Sequence, residues 1–238
     1  MNCGLPGSGQ GMTFSIAARC PRTGHLGVGA LTAMAGVGKL VAHVRPGVGA
    51  AATQATHNPY LAYDGLPMLA DGGSPQDVLE ELLAGDPGRD VRQAGMVDAR
   101  GRSYAHTGAK TPDWSGHRTG EGYAVQGNRL VGRETLDEVV RVFTGRADLE
   151  LAERLLLAIE AGEATGADKQ GAQSATITVV GAEEYPLWDL RVDDADDPAA
   201  ELRRLYGVVK EQLLPNIHKL PTRDDPMGEA AREALAEA

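Results

Sequence analysis

The sequence contains few of the residues that mark several common protein classes. Only two cysteines, Cys3 and Cys20, occur among 238 residues; this is too few for a disulfide framework and leaves no second pair for a metal site. No run approaches the roughly 18 apolar residues of a membrane span. The first eleven residues lack the basic flank and apolar stretch of a signal peptide. These absences favour a cytoplasmic protein with no metal or other cofactor.

Positive charge and aromatic side chains are also scarce. The 23 Lys and Arg residues are outnumbered by 33 Asp and Glu, which gives a formal net charge of −10. Because nucleic-acid phosphates require a basic face, the expected partner is a small molecule and not a nucleic acid or a membrane. Aromatic residues make up 4% of the chain, so small aliphatic side chains must form a closely packed core.

Alternation of apolar and polar residues predicts strands on both sides of two segments whose apolar residues have helical spacing. The predicted order is a hairpin from TFSIAAR and LGVGALTAM, a strand at 47–55, a helix capped by Ser74, a hairpin at 91–108, a strand at 123–128, helices from RETLDEVVRVFTG and LELAERLLLAIEAG, two further strands, a helix from Pro198 and a short Ala-rich helix. This order is typical of two face-to-face sheets covered by helices, because a Rossmann fold needs regular βα alternation.

The common catalytic signatures are missing. The segment from Gly36 to Leu40 lacks the spacing glycine of a phosphate loop and has Leu40 where Ser or Thr would bind magnesium. Neither GxSxG nor HExxH occurs. A lone His is usually structural, but His57 follows Thr53 and Gln54 in a polar segment after a predicted strand, which makes these three candidate substrate-binding residues.

Five segments together resemble the bacterial domain-of-unknown-function family 1028. In chain order they are GVGAAATQATHNP, RQAGMVDARGRSYAHTG, YAVQGNRLVG, AERLLLAIEAGEATGADKQGAQSATITVV and DLRVDDADDPAAELRRL, and the resemblance spans residues 12–205. It implies an α+β fold, a four-layer αββα sandwich related to the N-terminal-nucleophile (Ntn) hydrolases. In that superfamily the first residue of the mature chain attacks an amide carbonyl and its own α-amine serves as the base. The matching residue is Thr13, in the opening segment Met12-Thr13-Phe14-Ser15.

Under this resemblance, six further residues are candidates for the site. An α-amine with a pKa of about 7.7–8.0 is partly neutral near pH 7 and can accept the hydroxyl proton of the nucleophile. The oxyanion needs donors, and other polar groups must orient the amine; the candidates for these roles are Gln126, Gly127, Asn128, Asp168, Gln173 and Ser174. The same segments could instead be a strand-ending turn and the polar start of a strand.

The position of Thr13 leaves three functional hypotheses open. Its nitrogen is a nonbasic amide unless residues 1–12 are removed or Met12 is the true start. The leading hypothesis is an Ntn-type amidohydrolase that cleaves a small amide or peptide-like bond. The alternative is a noncatalytic binding or structural protein on the same fold. A third possibility uses His57 or Asp168 as general base and Thr53 or Ser174 as nucleophile.

The sequence also predicts the organisation of the chain. We expect an N-terminal extension at 1–11, one domain at 12–214, and a C-terminal loop with a short helix at 215–238. The acidic run from Asp193 to Asp197 most simply begins the last long helix. Because sheets leave edges to protect, we expect a homo-oligomer, with a C2 dimer as the commonest solution.

Overall fold

The computed structural model describes residues 11–167 and 171–237. These residues form two antiparallel sheets with helices, which confirms the predicted mixed α and β architecture. The strands are β1 Thr13–Arg19, β2 Leu26–Thr32, β3 Ala42–Arg45, β4 Gly49–Ala55, β5 Arg92–Asp98, β6 Ser103–Thr107, β7 Trp114–Gly120, β8 Tyr123–Leu130, β9 Ser174–Val180 and β10 Pro186–Val192. The helices are α1 Tyr60–Tyr63, α2 Gly65–Ala70, α3 Pro75–Ala84, α4 Glu134–Gly145, α5 Leu151–Glu163, α6 Pro198–Gln212, α7 Leu214–Ile217 and α8 Gly228–Ala236.

The first strand of the chain lies in the middle of the larger sheet. Six strands follow the order β10-β9-β2-β1-β8-β7, and four strands follow the order β3-β4-β5-β6. β1 and β2 form the predicted hairpin, whose turn uses Gly24 at a φ of 74°, a conformation that costs glycine little. β8 pairs with the other side of β1 and places Asn128 opposite Thr13.

The two sheets are in contact through β1 and β4 and through β5 and β8, and helices pack against each sheet. Side chains along β1 alternate as expected for a strand: Phe14 and Ile16 join the large cluster formed with α4, α5 and α6, whereas Ala17 faces the smaller sheet. The cluster between the sheets is built from alanine and valine with one leucine. On the far side of the smaller sheet, α1, α2 and α3 cover a third cluster.

Several local predictions are confirmed by the capping geometry. Ser74 accepts a hydrogen bond from the Asp77 N–H at 3.2 Å and begins α3 before Pro75. Asp197 accepts from the Ala200 N–H at 2.9 Å and begins α6, as expected for a capping carboxylate. The expected strand at 123–128 continues to Leu130, so Gln126, Gly127 and Asn128 lie within β8 and do not form a strand-ending turn. In the described part of the chain, no helix is both long and apolar enough to cross a membrane.

Candidate active site

A cleft of about 330 Å³ opens at one end of the space between the sheets. It lies beside the first residue of β1 and the last residue of β2, which face each other in the sheet register. Its lining includes the polar or charged residues Thr13, Thr32, Thr56, His57, Asn128 and Arg129. The cleft therefore brings together three of the residues predicted for the site, namely Thr13, His57 and Asn128.

The hydroxyl of Thr13 is tied to the carbonyl of the residue before it through Thr32. Thr32 Oγ1 donates to the Met12 carbonyl oxygen at 2.7 Å, and Thr13 Oγ1 lies 2.9 Å from Thr32 Oγ1. Because a threonine hydroxyl has one hydrogen, Thr13 must be the donor in the second bond. The Ala33 N–H also donates to the Met12 carbonyl at 3.1 Å. Two donors thus converge on the carbonyl of the Met12–Thr13 peptide bond, beside the Thr13 hydroxyl.

A buried network of amide side chains supports this end of β1. Gln54 Nε2 donates to the Thr13 carbonyl at 3.3 Å and to Gln93 Oε1 at 2.8 Å. Asn128 Nδ2 donates to the same Gln93 oxygen at 3.0 Å. Gln93 in turn donates through Nε2 to the Gly127 carbonyl at 2.8 Å. The network fixes Thr13 and Asn128 relative to the smaller sheet.

Four of the predicted residues on β8 and β4 lie near the cleft but do not line it. Gln126 is fully buried, and its Nε2 donates to Ser15 Oγ at 2.6 Å. Gly127 pairs with Phe14 of β1 in the larger sheet. Gln54 lies behind Thr13, as its bond to the Thr13 carbonyl shows. Thr53 donates from its hydroxyl to the Leu40 carbonyl at 3.2 Å and does not line the cleft.

His57 lies on the wall of the cleft opposite the sheet. Burial of the imidazole lowers its pKa, and the neighbouring His43 lowers it further. Both effects favour the neutral imidazole over the imidazolium. It can therefore take part in a hydrogen bond in the cleft without adding a charge.

The remaining predicted residues lie away from Thr13 or outside the described residues. Ser174 is opposite Thr32 on β9, so it is two strands from Thr13; its hydroxyl donates to the Met34 carbonyl and accepts from the Val37 N–H. Gln173 directs its amide to Asp194 at 2.9 Å on the surface. Asp168 lies outside the described residues.

The sequence reasoning did not identify Thr32, Gln93 or Arg129 as site residues. No sequence motif distinguishes Thr32, and only the strand register places it against Thr13. Gln93 does carry a usable signal, since it is a buried amide directly before the apolar segment 94–97 of β5. A buried polar side chain needs hydrogen-bond partners and therefore points to a network. In residues 11–167 and 171–237, no group of three or more His, Cys, Asp or Glu could hold a metal ion.

Comparison with known proteins gives one family and a structural relative within it. Residues 13–202 match the model of a family described as a family of unknown function, DUF1028. The crystal structure of protein SPO2555 from Silicibacter pomeroyi, assigned to the same family model, is 30% identical, with a TM-score of 0.84 over 91% of this chain and 95% of that chain. Anbu (ancestral beta-subunit) from Yersinia bercovieri is 12% identical, with a TM-score of 0.39 over 88% of this chain and 98% of that one. No curated protein matches the chain at a significant level.

Proposed function

This chain belongs to the DUF1028 family of unknown function, as the five sequence segments predicted, and on that premise we propose that it is an Ntn-type amidohydrolase whose nucleophile is Thr13. We further propose that its sheets and helices form the four-layer αββα sandwich of that superfamily. The observation that carries the proposal is the position of the Thr13 hydroxyl, which lies in the cleft and is linked through Thr32 to the carbonyl of the preceding peptide bond.

Removal of residues 1–12 would change two features of this site together. The Thr13 nitrogen would become an α-amine, with an ordinary pKa of about 7.7–8.0, that can accept the hydroxyl proton. The Thr32 hydroxyl and the Ala33 N–H would lose the Met12 carbonyl that they now bind. Donors already aimed at one carbonyl oxygen are suited to stabilise the oxyanion of a substrate carbonyl in its place.

These groups support a two-step hydrolysis. Thr13 Oγ1 adds to the carbonyl carbon of the substrate amide while its proton passes to the α-amine. The C–N bond then breaks, the proton goes to the leaving nitrogen, and an acyl ester remains on Thr13. Water, deprotonated by the same amine, attacks the ester and releases the acid. In this scheme Thr32 and Ala33 replace Gly127 and Asn128 as oxyanion donors, because Asn128 already donates to Gln93.

The other two hypotheses have different support. A noncatalytic binding protein is favoured by the chain as written, in which the Thr13 nitrogen is an amide. Catalysis by Thr53 or Ser174 has less support, because both hydroxyls donate to backbone carbonyls and neither residue lines the cleft. The amidohydrolase and the binding protein therefore remain the two candidates.

The test is to prepare residues 13–238 with Thr13 as the first residue, released from a fusion by a protease that leaves no extra residue. We expect this protein to hydrolyse a short-chain acyl p-nitroanilide and to show an acyl adduct on Thr13 by mass spectrometry. Thr13→Ala should abolish both signals, because it removes the hydroxyl and keeps the amine. Thr32→Val should lower kcat by about 100-fold or more through loss of one oxyanion donor.

The controls separate failure of chemistry from failure of folding. Met12 is almost fully buried in the large cluster, so truncation lowers stability, and circular dichroism must show a folded protein at the assay temperature. The full chain should be inactive. A folded truncated protein that binds the anilide but neither hydrolyses it nor acquires the adduct would favour the binding protein. An active truncated Thr13→Ala protein would place the nucleophile elsewhere.

A further inference from the structure

Backbone strain in the described residues is concentrated at the cleft. Three non-glycine residues have positive φ, namely Ala55 at 64°, Asp113 at 57° and Arg129 at 56°. Ala55 and Arg129 line the cleft, and Asp113 follows Pro112, which also lines it. A left-handed conformation is unfavourable for a non-glycine residue, so each must be held by its surroundings. Such residues cluster at functional sites.

The left-handed residue Arg129 interrupts the regular alternation of side chains near the end of β8. Val125 and Leu130 both belong to the cluster under the helices, although five positions along a regular strand would put them on opposite faces. The alternation is therefore broken between them. The left-handed residue at 129 lets Leu130 return to the helix side and brings Arg129 into the cleft beside Asn128.

The cleft has a charge opposite to that of the whole protein. The chain has a formal net charge of −10, yet the described residues that line the cleft include Arg129 and no Asp or Glu. One wall is apolar and consists of Met34, Val37, Leu40 and Val41. Arg129 carries five N–H donors, so its guanidinium can bind a ligand carboxylate in addition to protein groups.

We propose that the cleft takes an N-acyl amino acid, an amide with a short apolar acyl chain and a carboxylate next to its nitrogen. The acyl chain lies on the wall formed by Val37, Leu40 and Val41, and Arg129 binds the carboxylate. Asn128 is opposite Thr13 in the sheet, so its neighbour Arg129 lies on the β8 side of Thr13, and we assign the amino-acid part of the ligand to that side. This inference rests on the proposed function: hydrolysis adds the elements of water across the C–N bond and releases a fatty acid and an amino acid.

Binding to the full chain tests the contacts with Arg129 and the apolar wall without turnover, because the Thr13 nitrogen is an amide there and the Met12 carbonyl keeps the Thr32 and Ala33 donors occupied. The probes are N-hexanoylglycine, its uncharged analogue N-hexanoylglycinamide, and N-acetylglycine, which keeps the carboxylate but has almost no chain. Isothermal titration calorimetry should give the tightest binding for N-hexanoylglycine. Loss of the charged hydrogen bonds should weaken binding of the glycinamide by about tenfold or more. N-acetylglycine should also bind more weakly, because it buries less apolar surface.

Arg129→Asn removes the charge and keeps a residue that tolerates a positive φ. It should make the acid and the glycinamide bind with the same affinity, whereas Arg146→Asn, an equal charge change at the far end of α4, should leave the difference intact. Arg129→Gly, which relieves the strain entirely, should behave like Arg129→Asn. Equal binding of acid and glycinamide by the unaltered protein, no binding of N-hexanoylglycine, or a preference that survives both Arg129 variants would overturn the inference.

The outcomes also separate this inference from the proposed function. If the truncated protein hydrolyses amides while the full chain shows no preference for a carboxylate, only the inference about substrate fails. If the full chain prefers the carboxylate while the truncated protein forms no acyl adduct, the cleft is a binding site for acylated amino acids and the amidohydrolase proposal fails.

Discussion

Replacing Gly95 by alanine should disrupt the buried amide network without touching the cleft. Gly95 lies in the middle of β5, between Ala52 on β4 and Ala105 on β6. A Cβ added there would be 1.9 Å from Gln126 Oε1 and 2.7 Å from Gln126 Cδ. Both distances are far below contact, so the Gln126 side chain must move. That movement breaks the 2.6 Å bond from Gln126 Nε2 to Ser15 Oγ.

The expected loss in the free energy of unfolding of the Gly95→Ala variant has two parts that can be estimated separately. Forcing an extra methyl group into a filled interior costs about 1–3 kcal/mol. Leaving a buried amide without its partner costs about 1–3 kcal/mol more. The free energy of unfolding should therefore fall by about 2–6 kcal/mol, and Tm should fall by about 4–24 °C for a chain of this length. Because native proteins have only about 5–15 kcal/mol of stability, this is a large loss.

Thermal and urea unfolding followed by circular dichroism provide the measurement. The matched control is Gly207→Ala in α6, where an added Cβ meets nothing within 4 Å and should raise stability by about 0.5–1 kcal/mol. Gln126→Ala should rescue Gly95→Ala in part, so that the double variant is more stable than the sum of the single changes by about 1 kcal/mol or more. Additive effects, or a Gly95→Ala protein as stable as the parent, would refute the role given to this close approach.

Two further predictions concern individual polar contacts. Ser74→Ala should lower the free energy of unfolding by about 1 kcal/mol, because it removes the acceptor for the Asp77 N–H. Ser74→Asp supplies another acceptor and should keep most of that stability. Urea unfolding measures both variants. Hydrogen bonds from Arg92 outweigh the opposing effect of burial and, with bonds from Asn58 and the Gly88 N–H, lower the pKa of Asp86 from 3.8 to about 2. Since the folded state has the lower pKa, this carboxylate stabilises the fold above about pH 4 and loses that contribution as the pH falls towards 2. Asp86→Asn should remove up to about 2 kcal/mol of stability at pH 7 and flatten this part of the acid unfolding profile; an unchanged profile would contradict the assignment.

The elements with strong local patterns could be predicted from the sequence, and the weakly patterned ones could not. The hairpin of β1 and β2 and the helices α4 and α5 have clear alternation or helical spacing. β3 and β7 were not predicted. Both are edge strands with half-exposed residues, so no buried face imposes a period of two on their sequences.

The candidate site shows the same division between local and long-range information. Thr13 follows from a family resemblance, but its contact with Thr32 depends on the pairing of two strands. The convergence of Gln54 and Asn128 on Gln93 requires both sheets. The inward direction of Arg129 depends on one left-handed residue, a conformation that arginine does not favour and that no sequence pattern indicates.

The central position of β1 also affects how the protein is made. The hairpin of β1 and β2 emerges from the ribosome before β8 and β9, which cover its two free edges and lie about a hundred residues or more further along the chain. At about 5–20 residues per second, synthesis leaves those edges unpaired for at least about 5–20 s. Unpaired edges are templates for association between chains. During this interval the edges of the hairpin that will carry the Thr13 cleft are open to association with other chains.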